Sequence, residues 1–143
     1  KDVGLGMDEE FYAVLELVNW GRFHALAHLT YPFRYIPEQK RPADFSRWQD
    51  RIDAILRQLA VKGLALEINT SGLRQPGGTT HPPLSLVRRF RQLGGEFITI
   101  GADAHRPEDV GTGLEQAAAL AREAGFTHQA VFFGGKMELL PLE

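Results

Sequence analysis

Apolar residues in this chain fall into two alternating patterns. Over residues 8–22, Phe11, Leu15 and Val18 share one helical stripe, with Val14 and Leu17 beside it. Asp8 stands where an N-cap belongs and Gly21 where a helix stops. Over 44–63, Phe45, Trp48, Ile52, Ile55 and Leu59 recur at helical spacing up to Gly63. Residues 84–95 read as a third helix halted by Gly94 and Gly95, and 113–125 as an Ala-rich fourth. Between these lie short, nearly continuous apolar runs at 24–31, 64–70 and 96–103. Residues 128–142 read as two strands around Gly134 and Gly135, or as one strand with an extended tail. The Gly, Pro and Thr content of 71–83 makes it a loop. Strands separated by helices of about a dozen residues predict an α/β fold with a parallel sheet covered on both faces. The pattern alone does not separate an open sheet from a barrel.

The 143 residues suit one domain, 1–143, with an ordinary balance of 43% hydrophobic and 24% charged residues. A net charge of −2 gives no field to draw nucleic acid or an anionic membrane. With no cysteine, thiolate zinc sites and disulfides are excluded, leaving His, Asp and Glu as metal donors. A cytoplasmic setting is compatible. No apolar run approaches the ~18 residues of a membrane span. The opening "KDVGLGMDEE" has no apolar segment behind its charge, so it does not read as a signal peptide. It reads as the inside of a longer protein.

Three strand candidates end on polar residues. "HALAH" ends on His28, "LALEIN" on Glu67 and Asn69, and "FITIGADAH" on Asp103 and His105. Loops at the carboxyl ends of parallel strands form the active-site face of such folds, where residues far apart in sequence converge. Asp103 and His105 are two apart, so in extended chain their side chains share one side and could ligate one ion. A carboxylate with a neutral imidazole suits zinc, manganese or iron. Alternatively, Asp103 caps a turn and His105 is an exposed loop residue. His24 and His28 would face one way on a helix. On a strand they are separated by roughly 13 Å, which places His24 at the opposite end from the site. Glu67 could be a ligand, a base or a group that orients a ligand. Arg34 and Arg74 each follow a site-bearing strand and could grip phosphate oxygens in pairs, or lie solvated in loops. His81 shares the long loop with Arg74 and has no assigned role. "RRFRQ" over 88–92 reads as a solvated helix face.

Three strings in series, "ALAHLTYPFRYI", "LALEINTSGLR" and "ITIGADAHRPEDVGTGLEQA", resemble the histidinol-phosphatase branch of the PHP (polymerase and histidinol phosphatase) family. The resemblance covers nearly the whole chain. It implies a distorted (β/α)7 barrel, of which this chain is the C-terminal half, with up to three divalent metals in the complete domain. It implies His28, Asp103 and His105 as metal ligands, Asp103 and His105 as catalytic residues, and Arg34 and Arg74 as substrate-phosphate binders. Glu67 and Asn69 would orient the ligands. The implied activity is hydrolysis of a small phosphate monoester, L-histidinol phosphate, by metal-activated water.

The sequence departs from the family's pattern. Ala102 stands where a serine is common, and Thr30 where an aspartate is frequent. More important, the His-x-His motif of the family's first strand is absent, and no two of the five histidines have that spacing. The expectation is an incomplete domain, inactive or nearly so alone, whose open strand edge pairs with the missing half or another chain. Rival readings are a non-catalytic PHP-type interaction module and a phosphoesterase acting on nucleotide or nucleic-acid ends.

Overall fold

The computed structural model describes residues 3–143, apart from the side chains of Val3 and Leu5. Its elements run α1 (Val3–Trp20), β1 (Ala25–Leu26), α2 (Gln49–Val61), β2 (Ala65–Asn69), α3 (Leu84–Gln92), β3 (Ile98–Gly101), α4 (Leu114–Glu123), β4 (His128–Phe133) and β5 (Lys136–Pro141). Strands β1, β2 and β3 form a parallel sheet in that order. The α/β class read from the pattern holds for this part.

The sheet is parallel because each strand is followed by a helix that returns the chain to the same end. Leu66 and Ile68 point to one face of β2, where they are fully buried with Ile52, Ile55, Leu56 and Leu59 of α2 and Val87 and Phe90 of α3. The alternation that buries these residues sends Glu67 to the other face. Glu67 is half-buried there.

Four expectations need correction. Helix α1 begins at Val3, not Asp8. The buried stripe continues backwards through Met7, and the Asp8 carboxylate instead meets Arg47 at 3.5 Å and Arg51 at 3.9 Å. Leu17 is exposed. Strand β1 has two residues, not eight: the chain leaves the sheet after Leu26 and winds into a 3₁₀ turn over Tyr31–Tyr35. The arginines of 88–92 are not simply solvated. Arg89 binds Asp53, Arg88 donates to Glu123 at 2.6 Å, and Arg91 donates to the Gly95 carbonyl at 3.1 Å.

Residues 128–141 form an antiparallel hairpin closed by Gly134 and Gly135, at φ 55° and 76°. Its Phe132 ring stacks on His24 at 4.7 Å. That contact holds His24 away from the carboxyl ends of the strands. Among the described residues, β1 is paired on one side only, and no helix is long and apolar enough to cross a membrane.

One ion pair bolts α2 to α3. Arg89 donates Nε to Asp53 Oδ1 at 2.9 Å and Nη2 to Oδ2 at 2.6 Å, and Gln49 adds a third bond at 2.7 Å. The Arg89 bonds hold the Asp53 carboxyl below the usual range, against the opposing effect of burial. Asp53→Ala is expected to cost about 2 kcal/mol in urea unfolding. That is below the ~3–5 kcal/mol of a fully buried pair, because Arg89 can reach water.

Candidate metal and phosphate site

The polar strand ends lie together at one end of the sheet. Among the described residues, only two non-glycine residues have positive φ, and both are expected ligands: His28 at 37° and Asp103 at 50°. Non-glycine residues rarely adopt this region, and such backbone strain concentrates at functional sites.

Strand β3 stops at Gly101, so Asp103 and His105 are not on extended chain as the spacing argument assumed. The left-handed turn at Asp103 brings them together instead, with Asp103 Oδ1 and His105 Nε2 3.7 Å apart. Arg74 fastens this turn from below. Its Nη2 donates to the Ala102 carbonyl at 2.9 Å and lies 3.4 Å from that of Asp103. Its Nη1 donates to Thr112 Oγ1 at 2.8 Å, and Nε faces Asp109 at 3.4 Å.

His28 is placed by Glu67. The His28 amide donates to Glu67 Oε2 at 3.0 Å, and Asn69 Nδ2 lies 3.3 Å from the same oxygen. Gly101 makes room for this carboxylate: a Cβ there would fall 2.7 Å from Glu67 Oε1. Buried Asn69 accepts from the Ser71 amide at 3.0 Å and hydroxyl at 2.6 Å, which winds "SGLR" into a 3₁₀ turn.

Arg34 projects from the turn after β1. Its guanidinium lies 4.5 Å from the centre of the Tyr31 ring and donates from Nη1 to the Tyr31 hydroxyl. The Gln75 amide, oriented with its oxygen toward Arg34, lies 2.7 Å from Nη2. Tyr31 also touches the His28 imidazole, ring centres 4.9 Å apart. A hydrogen bond with Tyr35 raises the Tyr31 phenol, as does burial; Arg34 opposes this and Asp103 adds to it. The phenol is therefore neutral at pH 7.

Sequence reasoning missed Tyr31 and left His81 unassigned. His81 is buried, and its backbone pairs with Asn69 through two 3.0 Å bonds. Nδ1 lies 3.2 Å from Thr30 Oγ1, and Nε2 has no partner among the described residues. Burial lowers its pKa to about 4, helped by the positive charges of Arg34, His28 and Arg41. An unfolded histidine binds its proton near pH 6.5, so the folded state loses stability as pH falls from about 6.5 toward 4. Between pH 7 and 4.5 the chain is expected to lose on the order of 2–3 kcal/mol that a His81→Phe variant does not lose. Urea midpoints across pH check this; parallel curves would refute it.

A cavity of about 390 Å³ opens beside Arg34, lined also by Phe33, Phe45, Arg41, Gln75 and His81. His28, Asp103 and His105 lie outside its walls. Among the described residues, no three His, Asp or Glu side chains come together closely enough to hold one ion. Asp103 and His105 fit two positions of a divalent-metal site by chemistry and by proximity. They do not complete one.

The architecture defines a parallel α/β chain with a carboxylate–imidazole pair and arginines at one end of its sheet. Comparison with known proteins narrows that class. The chain is 40% identical over 110 residues to the probable histidinol-phosphatase of Thermotoga maritima, covering 77% of this chain and 45% of that protein. It is 35% identical over 131 residues to the histidinol-phosphatase of Lactococcus lactis, covering 91% and 48%. The crystal structure of the Lactococcus lactis histidinol phosphate phosphatase, complexed with zinc, L-histidinol and phosphate, superposes with a TM-score of 0.77 at 34% identity. That match covers 92% of this chain and 50% of the other. No family model matches. The chain is thus related to the histidinol-phosphatases, the branch of the PHP family its motifs resemble. It spans about half the length of the curated relatives it matches.

Proposed function

We propose that this chain is the C-terminal part of a metal-dependent phosphatase that releases phosphate from a small monoester, L-histidinol phosphate. The observation that carries the reading is the Asp103–His105 pair just after β3, with a strained His28 held by Glu67 at the same end of the sheet. Asp103, His105 and His28 would hold divalent metal: zinc, as in the Lactococcus structure, or manganese or iron, with up to three ions in the complete domain. Such metal supplies a water of lowered pKa and neutralises phosphoryl charge. Arg34 grips the phosphate, its plane fixed by Tyr31. Arg74 braces the Asp103 turn and has one Nη1 proton left to offer a phosphoryl oxygen. Glu67 and Asn69 keep His28 aimed.

The fold completes as a distorted (β/α)7 barrel, with Glu67 on the inner face and β1 as the open edge. That edge takes the missing N-terminal half or another chain, which brings the further donors. The chain alone is then a poor phosphatase, in keeping with the lack of a three-donor cluster among the described residues. A cytoplasmic setting accords with the absence of cysteine. The internal bonds of Arg88, Arg89 and Arg91 favour a small substrate over a nucleic-acid end.

The test is metal content by mass spectrometry, beside a His105→Ala control. Zinc retained by the chain and lost from the control supports the reading; equal, trace zinc in both means that these residues form no working site in this chain by itself, leaving a fragment or a structural module. Grafted in place of the matching segment of the Thermotoga relative, the chain is expected to sustain phosphate release from L-histidinol phosphate. The same graft carrying His105→Ala is expected to fail.

A further inference from the structure

The sequence singled out two arginines for the phosphate and no partner for either. The structure supplies one for Arg34. The Tyr31 hydroxyl accepts from Arg34 Nη1, so its lone pair is engaged by the cation; its own proton, shared with Tyr35 in the free chain, can turn to an anion that Arg34 grips. The same ring lies under the Arg34 guanidinium at 4.5 Å and against the His28 imidazole at 4.9 Å. Three aromatic neighbours pin it: His28, then Tyr35 at 5.9 Å and His81 at 5.8 Å, both edge to face. A side chain so fixed loses little freedom when it binds.

On the phosphatase reading above, we infer that Tyr31 is a phosphate-binding residue: its hydroxyl donates to the phosphoryl oxygen that Arg34 grips, between that cation and the metal ligand His28. The chemistry is that of a charge-assisted hydrogen bond to an anion, the stronger kind. Tyr31 thereby joins the two halves of the site, the imidazole that faces metal and the guanidinium that faces phosphate. A phenol does this without adding charge, so it leaves the balance between dianion and cations unchanged. Tyr35, exposed and further along the turn, makes a looser contact with Arg34 at 5.4 Å and has no place beside His28.

The test uses the chain grafted into the Thermotoga relative, where the further donors are present, loaded with zinc and probed with inorganic phosphate by titration calorimetry. Tyr31→Phe keeps the ring and removes the hydroxyl; Tyr31→Leu removes both. The phenylalanine variant is expected to bind phosphate about tenfold more weakly with unchanged zinc content. The leucine variant is expected to weaken further, because Arg34 loses its platform. Tyr35→Phe is expected to bind phosphate at least as tightly as the parent does, because it releases the Tyr31 proton from its competing bond. Unchanged phosphate affinity in Tyr31→Phe overturns the inference and leaves the phosphatase reading standing. A parent chain that takes zinc but no phosphate also overturns the inference. A parent that takes neither overturns the phosphatase reading and the inference with it.

Discussion

Asp103→Asn is expected to lose zinc by a factor beyond the ~10–100-fold typical of removing a residue that merely orients a ligand. The asparagine keeps the shape of the side chain and tolerates left-handed backbone, so the turn at φ 50° survives. What disappears is the carboxylate charge facing His105. Asp103→Ala should lose zinc to a similar degree. It should also lose roughly 1 kcal/mol of stability, because alanine fits that backbone less well than aspartate does. Metal content separates the donor from the fold, and urea unfolding measures the rest. An asparagine variant that keeps its zinc would remove Asp103 from the ligand set.

Gly72→Ala is expected to be the most destabilising single methyl added to this chain. The new Cβ would fall 2.0 Å from the Thr79 carbonyl oxygen and 2.8 Å from His81 Nε2. The first is backbone and has no rotamer to escape into. The cost should exceed the ~1–3 kcal/mol usual for overpacking, since relief requires residues 79–81 to leave β2. The paired bonds between Asn69 and His81 then break. His81 would emerge from the core, so the variant's acid-dependent loss of stability should shrink. Wild-type stability in Gly72→Ala would contradict the close approach.

Strands β2 and β3 were legible because buried parallel strands have apolar residues on nearly every position, and Leu64–Ile68 and Phe97–Ile100 meet that demand. The run 24–31 has the same look and a different structure. Beyond Leu26 the buried apolar residues of this run and of the turn after it are Leu29, Phe33 and Ile36, spaced four and three apart, which is a helical period. The run's strand-like look comes from Ala25 and Leu26, which do pair in the sheet. Asp103 and His105 come together not on extended chain but through a strained turn, fastened by Arg74 from 28 residues away. No local signal marks Tyr31 or His81. They enter through contacts between loops, such as Thr30 with His81 across 51 positions. The family was legible from three strings in series, whereas the residue chemistry alone offered only candidate donors.

The two left-handed residues set a trade-off for anyone who would improve this protein. Screened for melting temperature alone, positions 28 and 103 invite glycine, which adopts φ 37° and 50° without steric cost. Relief of left-handed strain is worth roughly 1–2 kcal/mol at each position, enough for a stability screen to favour it. Each such gain removes a side chain able to hold an ion. A hardier descendant of this sequence would be a better-folded protein with less chemistry in it.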